Sequence, residues 1–348
     1  MSPKTARKLL GLIGVIYLAA AALVYYLASA PSAGLPTLLL YVPAAVYVST
    51  GALLVGGSFL TRRLFPAVFG LIGMALSAPT WGYVSARREP PAAVTIGVER
   101  PGAVNAYGKR PGAAGERLVA VTANVNSWGT DHEEMGRFLA DQKADVLFLQ
   151  EAWWAAHLEA MEQHLQGYHR IQGGQSGDLA ILARFPIRFV PVNRESFRGL
   201  LVLGETDFGP VHLVNLHYRK GKKPRRGKGG KKGFRLPSPT LTLALQDEDS
   251  AAAVELVEQL DGPVVLAGDL NAPPASPFVR RLEGVLDDSF AHAGAGFGYT
   301  FPAAMPLWRI DYLWHSGEFE ATQAQTVPNA SDHRALRVTL LVHAPSEK

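Results

Sequence analysis

The chain has 348 residues, of which 48% are hydrophobic and 18% are charged, and it contains no cysteine. This composition excludes intrinsic disorder over most of the chain, because disordered segments hold few apolar and many charged residues. The lack of cysteine excludes disulfide scaffolds, iron–sulfur clusters and zinc–cysteine sites. The formal net charge is only +4, but the charges are distributed very unevenly along the chain.

The first part of the chain is apolar. No charged residue occurs between Lys8 and Arg62, and a turn-forming Pro-Ser-Ala-Gly-Leu-Pro segment interrupts the apolar sequence at residues 31–36. A helix needs about 20 apolar residues to cross the core of a bilayer. The sequence therefore predicts a membrane anchor over residues 1–86 with three transmembrane helices, within the apolar runs of residues 9–30, 35–60 and 64–86.

Basic residues near the ends of these runs predict their orientation, because Lys and Arg favour the cytoplasmic side. Lys4, Arg7 and Lys8 precede the first run, and Arg62 and Arg63 lie between the second and third runs. The sequence therefore predicts a multi-pass protein of the cell membrane with an extracytoplasmic C-terminal domain. The predicted spans contain no ionisable Asp, Glu, Lys, Arg or His, which indicates an anchor and not a transporter.

A linker rich in Pro, Gly and Ala is predicted for residues 87–116, and a domain of different character follows. Over residues 117–343, short apolar runs alternate with amphipathic helical ones, which predicts an α/β domain with mixed sheets. Helices are predicted at residues 132–142, 153–165 and 247–260. Strands are predicted at residues 118–125, 146–150, 179–183, 200–205, 211–216, 264–267, 310–314 and 335–341.

Polar side chains stand at the ends of these predicted strands, where a hydrophobic core would not place them. Because the ends of neighbouring strands converge, we expect these side chains to share one cleft. Their carboxylate and amide oxygens are hard donors, which favours Mg²⁺ or Mn²⁺ over zinc. The oxygen-bearing set comprises Asn124, Glu151, Asp269, Asn271, Asp311 and Asp332.

Six motifs follow one another along the chain: Asn124, Gln150-Glu151, Asn215-x-His217, Gly268-Asp269-x-Asn271, Arg309-Ile-Asp311-Tyr312 and Ser331-Asp332-His333. Their order resembles that of the endonuclease/exonuclease/phosphatase superfamily. The resemblance covers about residues 117–341 and implies a four-layer α/β sandwich with two mixed β-sheets, DNase I-like, here preceded by three transmembrane helices. Residues 178–186 also resemble one of the family's strands.

The resemblance also implies a metal site. Glu151 would bind Mg²⁺ or Mn²⁺, and Asn124 and Asp332 would lie nearby as direct or water-mediated ligands. Asn126 departs from the pattern of many family members and is a further candidate on the metal side. Each of these residues alone also fits a turn or a surface carboxylate, so the prediction depends on all six motifs occurring in order.

The remaining site residues are assigned catalytic roles by the same resemblance. Asp269 would activate or orient the attacking water, and Asp311 would hold His333 in one tautomer. His217 and Asn271 would contact non-bridging phosphate oxygens. The implied reaction is a one-step hydrolysis of a phosphate ester by water, without a covalent intermediate.

A basic insertion, assigned to residues 218–240, directly follows His217. It holds ten of the 34 basic residues and no acid, so the rest of the chain has 24 basic against 30 acidic residues. A solvated loop is one explanation. The other is capture of a polyanion, either nucleic acid or an anionic phospholipid. The candidate polyanion-binding residues are Arg219, Lys220, Lys222, Lys223, Arg225, Arg226, Lys228, Lys231, Lys232 and Arg235.

Together these features predict a membrane-anchored, metal-dependent phosphoesterase that hydrolyses phosphodiester bonds, with nucleic acid slightly favoured as substrate. One alternative is a phospholipid or sphingolipid phosphodiesterase that acts on the bilayer in which it sits. Another is a non-catalytic membrane protein that binds polyanions. The sequence predicts contact with a lipid bilayer and gives no basis for inferring a protein partner.

The role of the basic insertion is testable by charge removal. Replacing its ten Lys and Arg residues with Ser should weaken binding of the full chain to DNA or to anionic vesicles. The dependence of binding on salt should flatten, because fewer counterions are released. Binding measured as a function of salt concentration checks this expectation, and a salt dependence identical to that of the wild type would contradict it.

Overall fold

The computed structural model describes residues 3–29, 35–85, 116–193, 195–221 and 239–343. Nearly all of the predicted linker and most of the basic insertion lie outside the described residues, as do eight of the ten candidate polyanion-binding residues. The chain divides into two compact units. The first comprises Met1–Tyr83, Lys220–Asp247 and Ala272–Arg280, and the second comprises Val84–Arg219, Glu248–Asn271 and Arg281–Lys348.

The described residues form eight α-helices, some of them short. Turns of 3₁₀ helix at Leu35–Tyr41 and Ala78–Thr80 flank the second and third α-helices. The α-helices are α1 (Pro3–Ser29), α2 (Ala44–Thr61), α3 (Leu64–Ser77), α4 (His132–Asp141), α5 (Ala155–Glu162), α6 (Pro239–Val257), α7 (Pro277–Glu283) and α8 (Ser289–Ala293).

The number of helices that can cross a membrane differs from the sequence prediction. Two described helices are long and apolar enough, at Lys4–Ser29 and Ala44–Thr61, whereas the apolar helix at Leu64–Thr80 is shorter. Proline explains the difference, because it lacks an N–H donor and disfavours helix in the preceding residue. Pro79 lies where α3 gives way to a 3₁₀ turn, so the third apolar run forms an α-helix only as far as Ser77. The prediction of three full-length spans is corrected to two.

Small residues let the three N-terminal helices approach closely. A Cβ atom added to Gly70 would lie 2.6 Å from the carbonyl oxygen of Gly51, and one added to Gly14 would lie 3.0 Å from the Phe69 ring. Large apolar side chains cover the outer faces instead, with Leu53, Phe59 and Leu60 among the most exposed. Small residues thus line the contacts between these helices, and large apolar residues line their exposed faces.

Twelve strands form two six-stranded sheets in the second unit. One sheet has the order β11-β12-β1-β2-β4-β3, and the other has the order β5-β6-β7-β8-β10-β9. The strands are β1 (Arg117–Asn124), β2 (Val146–Gln150), β3 (His169–Gly173), β4 (Leu179–Ala183), β5 (Ile187–Phe189), β6 (Leu200–Thr206), β7 (Gly209–His217), β8 (Val264–Asp269), β9 (Asp287–Asp288), β10 (Asp311–His315), β11 (Phe319–Val327) and β12 (Ala335–Val342).

The central strands are buried on both faces, which explains their continuous apolar sequences. In β2, Val146 and Phe148 lie in the core between the two sheets, whereas Leu147 and Leu149 pack with residues of α4 and α5 on the outer face. Each sheet contains both parallel and antiparallel pairs. The architecture is a four-layer α/β sandwich with two mixed sheets, as the sequence predicted.

The strand pairing brings the predicted site residues to one edge of the sandwich. β1 and β2 are parallel, with Asn124 opposite Gln150 at their carboxyl ends. β7 and β8 are also parallel, with His217 opposite Asp269. The antiparallel β10 begins at Asp311, which pairs with Asp269. Neighbouring strands thus deliver polar side chains to a shared cleft, as expected for the ends of parallel strands.

A buried amide joins the two sheets beside this edge. The Nδ2 atom of Asn215 in β7 donates to the carbonyl oxygens of Leu149 (2.9 Å) and Ala180 (3.0 Å) in the other sheet. Its Oδ1 accepts a hydrogen bond of 2.7 Å from Gln150 Nε2. Because Asn215 is fully buried, water cannot replace these partners.

Replacing Asn215 with Ala should therefore lower the free energy of unfolding by about 3 kcal/mol, since it leaves several buried polar groups without a partner. The matched control is Gln323→Ala on the exposed face of β11, which should change stability by less than about 0.5 kcal/mol. Urea unfolding of the full chain in detergent, followed by near-ultraviolet circular dichroism, measures both. Equal stabilities of the two variants would contradict a structural role for the Asn215 bridge.

Candidate active site

Asn124 and Glu151 form one wall of the cleft, at the ends of β1 and β2. Asn124 Nδ2 donates to Glu151 Oε1 at 3.1 Å and to Asp269 Oδ2 at 3.1 Å. Asn124 Oδ1 accepts a hydrogen bond from the Asn126 backbone N–H. Glu151 and Asn126 have φ angles of +55° and +38°, a region that non-glycine residues rarely adopt. The backbone is therefore bent sharply at both residues to bring their loops to the cleft.

Asp269 lies at the centre of the site. Its side chain is 0% exposed, and its Oδ1 accepts a hydrogen bond of 2.8 Å from the Asn271 backbone N–H. The neighbouring Gly268 has a φ of +155°, and a Cβ atom there would collide with the Leu216 carbonyl oxygen. Glycine is thus required immediately before Asp269 for the close approach of β7 and β8.

Two histidines face Asp269, and each is held by its own aspartate. His333 Nδ1 lies 2.9 Å from Asp311 Oδ2, and His333 Nε2 lies 3.9 Å from Asp269 Oδ2. His217 Nδ1 lies 2.8 Å from Asp178 Oδ2, and His217 Nε2 lies 3.8 Å from Asp269 Oδ2. The two Asp–His pairs thus direct both Nε2 atoms towards the same carboxylate.

These charges change the acidity of the histidines. Burial opposes protonation of His333, but the charges of Asp311, Asp269 and Asp332 and the hydrogen bond to Asp311 raise the pKa of His333 to about 9. Burial likewise acts against the raised pKa of His217, which comes from the hydrogen bond to Asp178 and from nearby carboxylates. Burial raises the pKa of Asp311, and the charge of His333 counteracts it. Both imidazoles are therefore suited to donate a proton or to bind an anion.

Apart from the exposed Asp332 at its margin, the network is open to solvent at Glu151 and His217. Their side chains are 21% and 14% exposed, whereas Asp269 and Asp311 are fully buried. His217 Nε2 also lies 3.9 Å from Glu151 Oε1. A substrate phosphate entering from solvent would therefore meet this histidine and this glutamate first.

Asp332 and Asn271 stand at the margin of this network. Asp332 is exposed, its Oδ1 accepts from Ser331 Oγ at 3.3 Å, and its backbone carbonyl accepts from the Ala303 N–H. The Asn271 side chain donates to the Tyr218 carbonyl oxygen at 3.0 Å, while its backbone has a φ of +51°. Asn271 thus contributes its backbone N–H to Asp269 in addition to a side chain near the cleft.

The donor atoms of this cleft fit a divalent cation. Among the described residues, Asp269, Asp311 and His333 form a group whose ligand atoms all lie within 4.8 Å of one another. This group differs from the predicted ligands Glu151, Asn124 and Asp332. The oxygens of Glu151 and Asp269 nevertheless converge on one amide of Asn124, so the two sets meet at Asp269. Such an oxygen-rich set suits Mg²⁺ or Mn²⁺, although it does not identify the ion.

Asp178 belongs to this network but was not among the predicted site residues. It precedes β4 and orients His217. The signal in the sequence was its position at the start of the 178–186 segment, one of the family-like strands. Gln150 and Asn215 belong to the predicted motifs, but only the structure shows that their amides join the two sheets.

Two residues of the basic insertion are described. The Arg219 guanidinium binds Asp249 at 2.7 Å and Glu248 at 2.9 Å, so this cation is already engaged within the fold. Lys220 follows it. The other candidates, Lys222, Lys223, Arg225, Arg226, Lys228, Lys231, Lys232 and Arg235, lie outside the described residues, and their binding to a polyanion stays a prediction.

Comparisons with known proteins agree with this geometry. The family described as Endonuclease/Exonuclease/phosphatase matches residues 121–333, which is more than half of the chain. Among curated proteins, none matches the chain. A solved structure of an endonuclease/exonuclease/phosphatase family protein from Bacteroides thetaiotaomicron has a TM-score of 0.50 at 18% identity, covering 67% of this chain and 100% of that chain. At this identity the likeness supports the fold alone.

Two further solved structures are similar to the chain. A mannosyl-6-phosphatase from Bacteroides thetaiotaomicron VPI-5482 has a TM-score of 0.47 at 18% identity, and the match covers 64% of this chain and 99% of that chain. D. rerio TDP2, humanized by 14 mutations, has a TM-score of 0.47 at 16% identity, and the match covers 64% of this chain and 98% of that chain.

The raised pKa of His333 leads to a test in metal-free protein. His333 should titrate near pH 9, and Asp311→Asn should lower its pKa towards the ordinary value of about 6.5. Because the folded-state pKa is raised, its contribution to stability is fully present below about pH 6.5 and is lost as the pH rises through about 9. Histidine NMR signals of the full chain, assigned with His333→Gln, measure the titration.

The control for this titration is Asp287→Asn, at an exposed aspartate 3.5 Å from His292. It should leave the His333 titration unchanged. A His333 pKa near 6.5 in the wild type would contradict the strong coupling to Asp311 and Asp269.

Proposed function

Because the chain belongs to the endonuclease/exonuclease/phosphatase family, we propose that it is a membrane-anchored, metal-dependent hydrolase of phosphodiester bonds. Members of this family are hydrolases that act on phosphoester bonds. The observation that carries the proposal is the buried Asp269 carboxylate, which faces two imidazoles that are each oriented by an aspartate. A polyanion-binding protein without activity would need neither Asp–His pair.

Different residues of this chain carry out different steps of the hydrolysis. Asp269 orients the attacking water and accepts its proton, and the backbone N–H of Asn271 fixes the carboxylate in position. His217, held by Asp178, contacts a non-bridging phosphate oxygen together with Asn271. His333, held by Asp311, donates a proton at Nε2. A bond forms between the water oxygen and phosphorus, the ester P–O bond breaks, and the leaving oxygen is protonated.

Glu151 and Asn124, with Asp332 nearby, would hold the Mg²⁺ or Mn²⁺ ion. A divalent cation at this position neutralises negative charge that develops on the phosphate oxygens. Asn124 keeps the carboxylates of Glu151 and Asp269 side by side through its two hydrogen bonds. Asn124 therefore connects Glu151, which would bind the metal, directly to Asp269, which orients the water.

The N-terminal helices support the membrane anchor. The helices at Lys4–Ser29 and Ala44–Thr61 are long and apolar enough to span a bilayer, and only 22% and 28% of their apolar windows are buried within the protein. A helix from the core of a soluble protein would be mostly buried instead. Lys4, Arg7 and Lys8 at the start of α1, and Arg62 and Arg63 after α2, favour a cytoplasmic N-terminus and a cytoplasmic loop between α2 and α3. A catalytic unit outside the cytoplasm would then require the shorter α3 to complete a third crossing.

Nucleic acid is the substrate class that the basic insertion favours. Its ten Lys and Arg residues directly follow His217 in the sequence, where they would attract a phosphate backbone. The same charges would attract anionic phospholipid, so a direct comparison of substrates is required.

Substitution of the central residues tests the proposed reaction. Asp269→Ala should lower the turnover of bis(p-nitrophenyl) phosphate by about 10³-fold or more, because water activation is lost. His333→Ala should cause a loss of similar size on a dinucleoside monophosphate, whose alkoxide leaving group needs a proton, whereas p-nitrophenolate does not. The matched control is Asp207→Ala, at an exposed aspartate in the β6–β7 turn, which should retain activity. Activity of the full chain in detergent is measured with all three variants, and wild-type turnover by either site variant would contradict the mechanism.

A further inference from the structure

Exposed apolar side chains in the second unit cluster around the active site. Within the part of this unit that the structure describes, the large hydrophobic residues with substantial exposure are Trp128, Trp153, Trp154, Phe189 and Met305. Four of these five lie in loops that carry or contact site residues. Large exposed apolar side chains that gather in one region mark a site of interaction, whereas isolated ones do not.

The three tryptophans belong to the two loops that form the metal-side wall. Trp128 follows Asn124 by four residues, and Trp153 and Trp154 follow Glu151 by two and three residues. The Ser127 hydroxyl donates to the Glu151 carbonyl oxygen, which ties the two loops together. The tryptophans are therefore fixed relative to the catalytic residues.

The Trp128 and Trp154 rings pack edge to face, with centroids 4.2 Å apart. Behind them, Trp154 contacts His157 at 4.9 Å, and His157 stacks on His132 at 3.9 Å. The Trp154 ring thus packs against the stacked pair His157 and His132, while Trp128 is 76% exposed. A side chain of this size gains most by burial of its ring, so its exposure favours a partner that would cover it.

Met305 lies in the loop beside the other Asp–His pair. In this loop, the Ala303 N–H donates to the Asp332 carbonyl oxygen at 2.7 Å, and the Phe301 ring lies 4.7 Å from the His333 ring. Met305 itself is 65% exposed. Apolar side chains therefore border both the Glu151 side and the His333 side of the site. We call Trp128, Trp153, Trp154 and Met305 the apolar rim.

The charges near the tryptophans argue against a polyanionic partner on this side. Residues 124–141 hold four acids (Asp131, Glu133, Glu134 and Asp141) and one base, and residues 151–162 hold three acids and no base. Arg137 lies 3.8 Å from Glu133, and Arg170, which is outside both segments, binds Glu162 at 3.0 Å. The two segments still hold more acidic than basic residues when these two pairs are taken into account. A nucleic-acid backbone or an anionic lipid surface would be repelled by this face, whereas an uncharged or zwitterionic surface would not.

We propose that the apolar rim inserts into the headgroup region of a zwitterionic bilayer, so that the substrate of the site is the phosphodiester of a membrane lipid. Tryptophan is enriched at membrane interfaces because its ring is apolar and its N–H is polar. The chain also carries two helices that are long and apolar enough to span a bilayer. This inference deepens the proposed hydrolase function and rests on it, and it selects membrane lipid over the nucleic acid that the basic insertion taken alone favours.

The test uses the full chain reconstituted in phosphatidylcholine vesicles. Trp128→Ser combined with Trp153→Ser should lower headgroup release from labelled phosphatidylcholine by about tenfold or more, since two interfacial contacts are lost. Hydrolysis of the water-soluble bis(p-nitrophenyl) phosphate should change by less than about twofold, because neither ring belongs to the catalytic machinery. Trp128→Phe combined with Trp153→Phe should restore a substantial part of the lipid activity.

Phe189→Ser is the matched control, because Phe189 is exposed in the same unit but lies on the short strand β5. It should leave hydrolysis of both substrates unchanged. Equal losses on the lipid and the soluble substrate in the tryptophan variant would mean a structural defect at the site and would contradict the proposal. A loss confined to an oligonucleotide substrate would also overturn it, in favour of base stacking on the rings.

Quenching by brominated phosphatidylcholine tests contact with the bilayer independently of catalysis. Wild-type tryptophan fluorescence should be quenched more than that of the Trp128→Phe, Trp153→Phe and Trp154→Phe triple variant. Equal absolute losses of fluorescence would contradict insertion of the rim. If the wild type failed to hydrolyse even the soluble diester, the proposed function would fail, and the quenching result would still decide whether the rim contacts lipid.

Discussion

A negative charge buried between two sheets is the constraint on which the catalytic unit depends. Asp269 has no contact with solvent, and a carboxylate in such a place requires partners that compensate its lost hydration. Asn124 and the backbone of Asn271 provide hydrogen bonds, and the imidazoles of His217 and His333 face the same carboxylate. These partners come from four separate strand ends, so the charge can be stabilised only when both sheets are correctly paired.

The same constraint explains the unusual backbone of the site. Asn126, Glu151 and Asn271 all have positive φ angles, each of which costs about 1–3 kcal/mol in a non-glycine residue. These residues are held in place by hydrogen bonds and by sheets whose central strands are completely buried. The rigid sandwich thus maintains loop conformations that the loops would not adopt alone, and the positions of the ligands and histidines follow from it.

Much of this organisation could be predicted from the sequence because the central strands are short, apolar and bounded by polar residues. The predicted bounds of β2 and β4 agree with the structure, and the predicted residues Asn124, Glu151, Asp269, Asp311 and His333 share one network. Edge strands were missed: β3 has the polar sequence HRIQG, and β11 mixes exposed and buried positions. The length of α3 was overestimated because hydropathy does not register the effect of Pro79.

Long-range partnerships could not be predicted from spacing along the chain. Asp178 binds His217 across 39 residues, and only the pairing of the strands brings them together. The apolar rim illustrates the same limit, since Trp128 and Trp154 look like ordinary loop residues until their rings are found in contact. The acidic face around the rim and the basic insertion after His217 give the sequence near the site opposite charges, which a zwitterionic headgroup would match better than a polyanion.

The most direct test of the account is a metal titration of activity. Full-length protein is freed of metal with EDTA, and the rate of bis(p-nitrophenyl) phosphate hydrolysis is followed as Mg²⁺ or Mn²⁺ is added back. The account predicts no turnover without metal and a saturable return of turnover that Glu151→Ala weakens, since Glu151 would be a ligand. Full turnover in EDTA would contradict a metal-dependent phosphodiesterase built around Asp269.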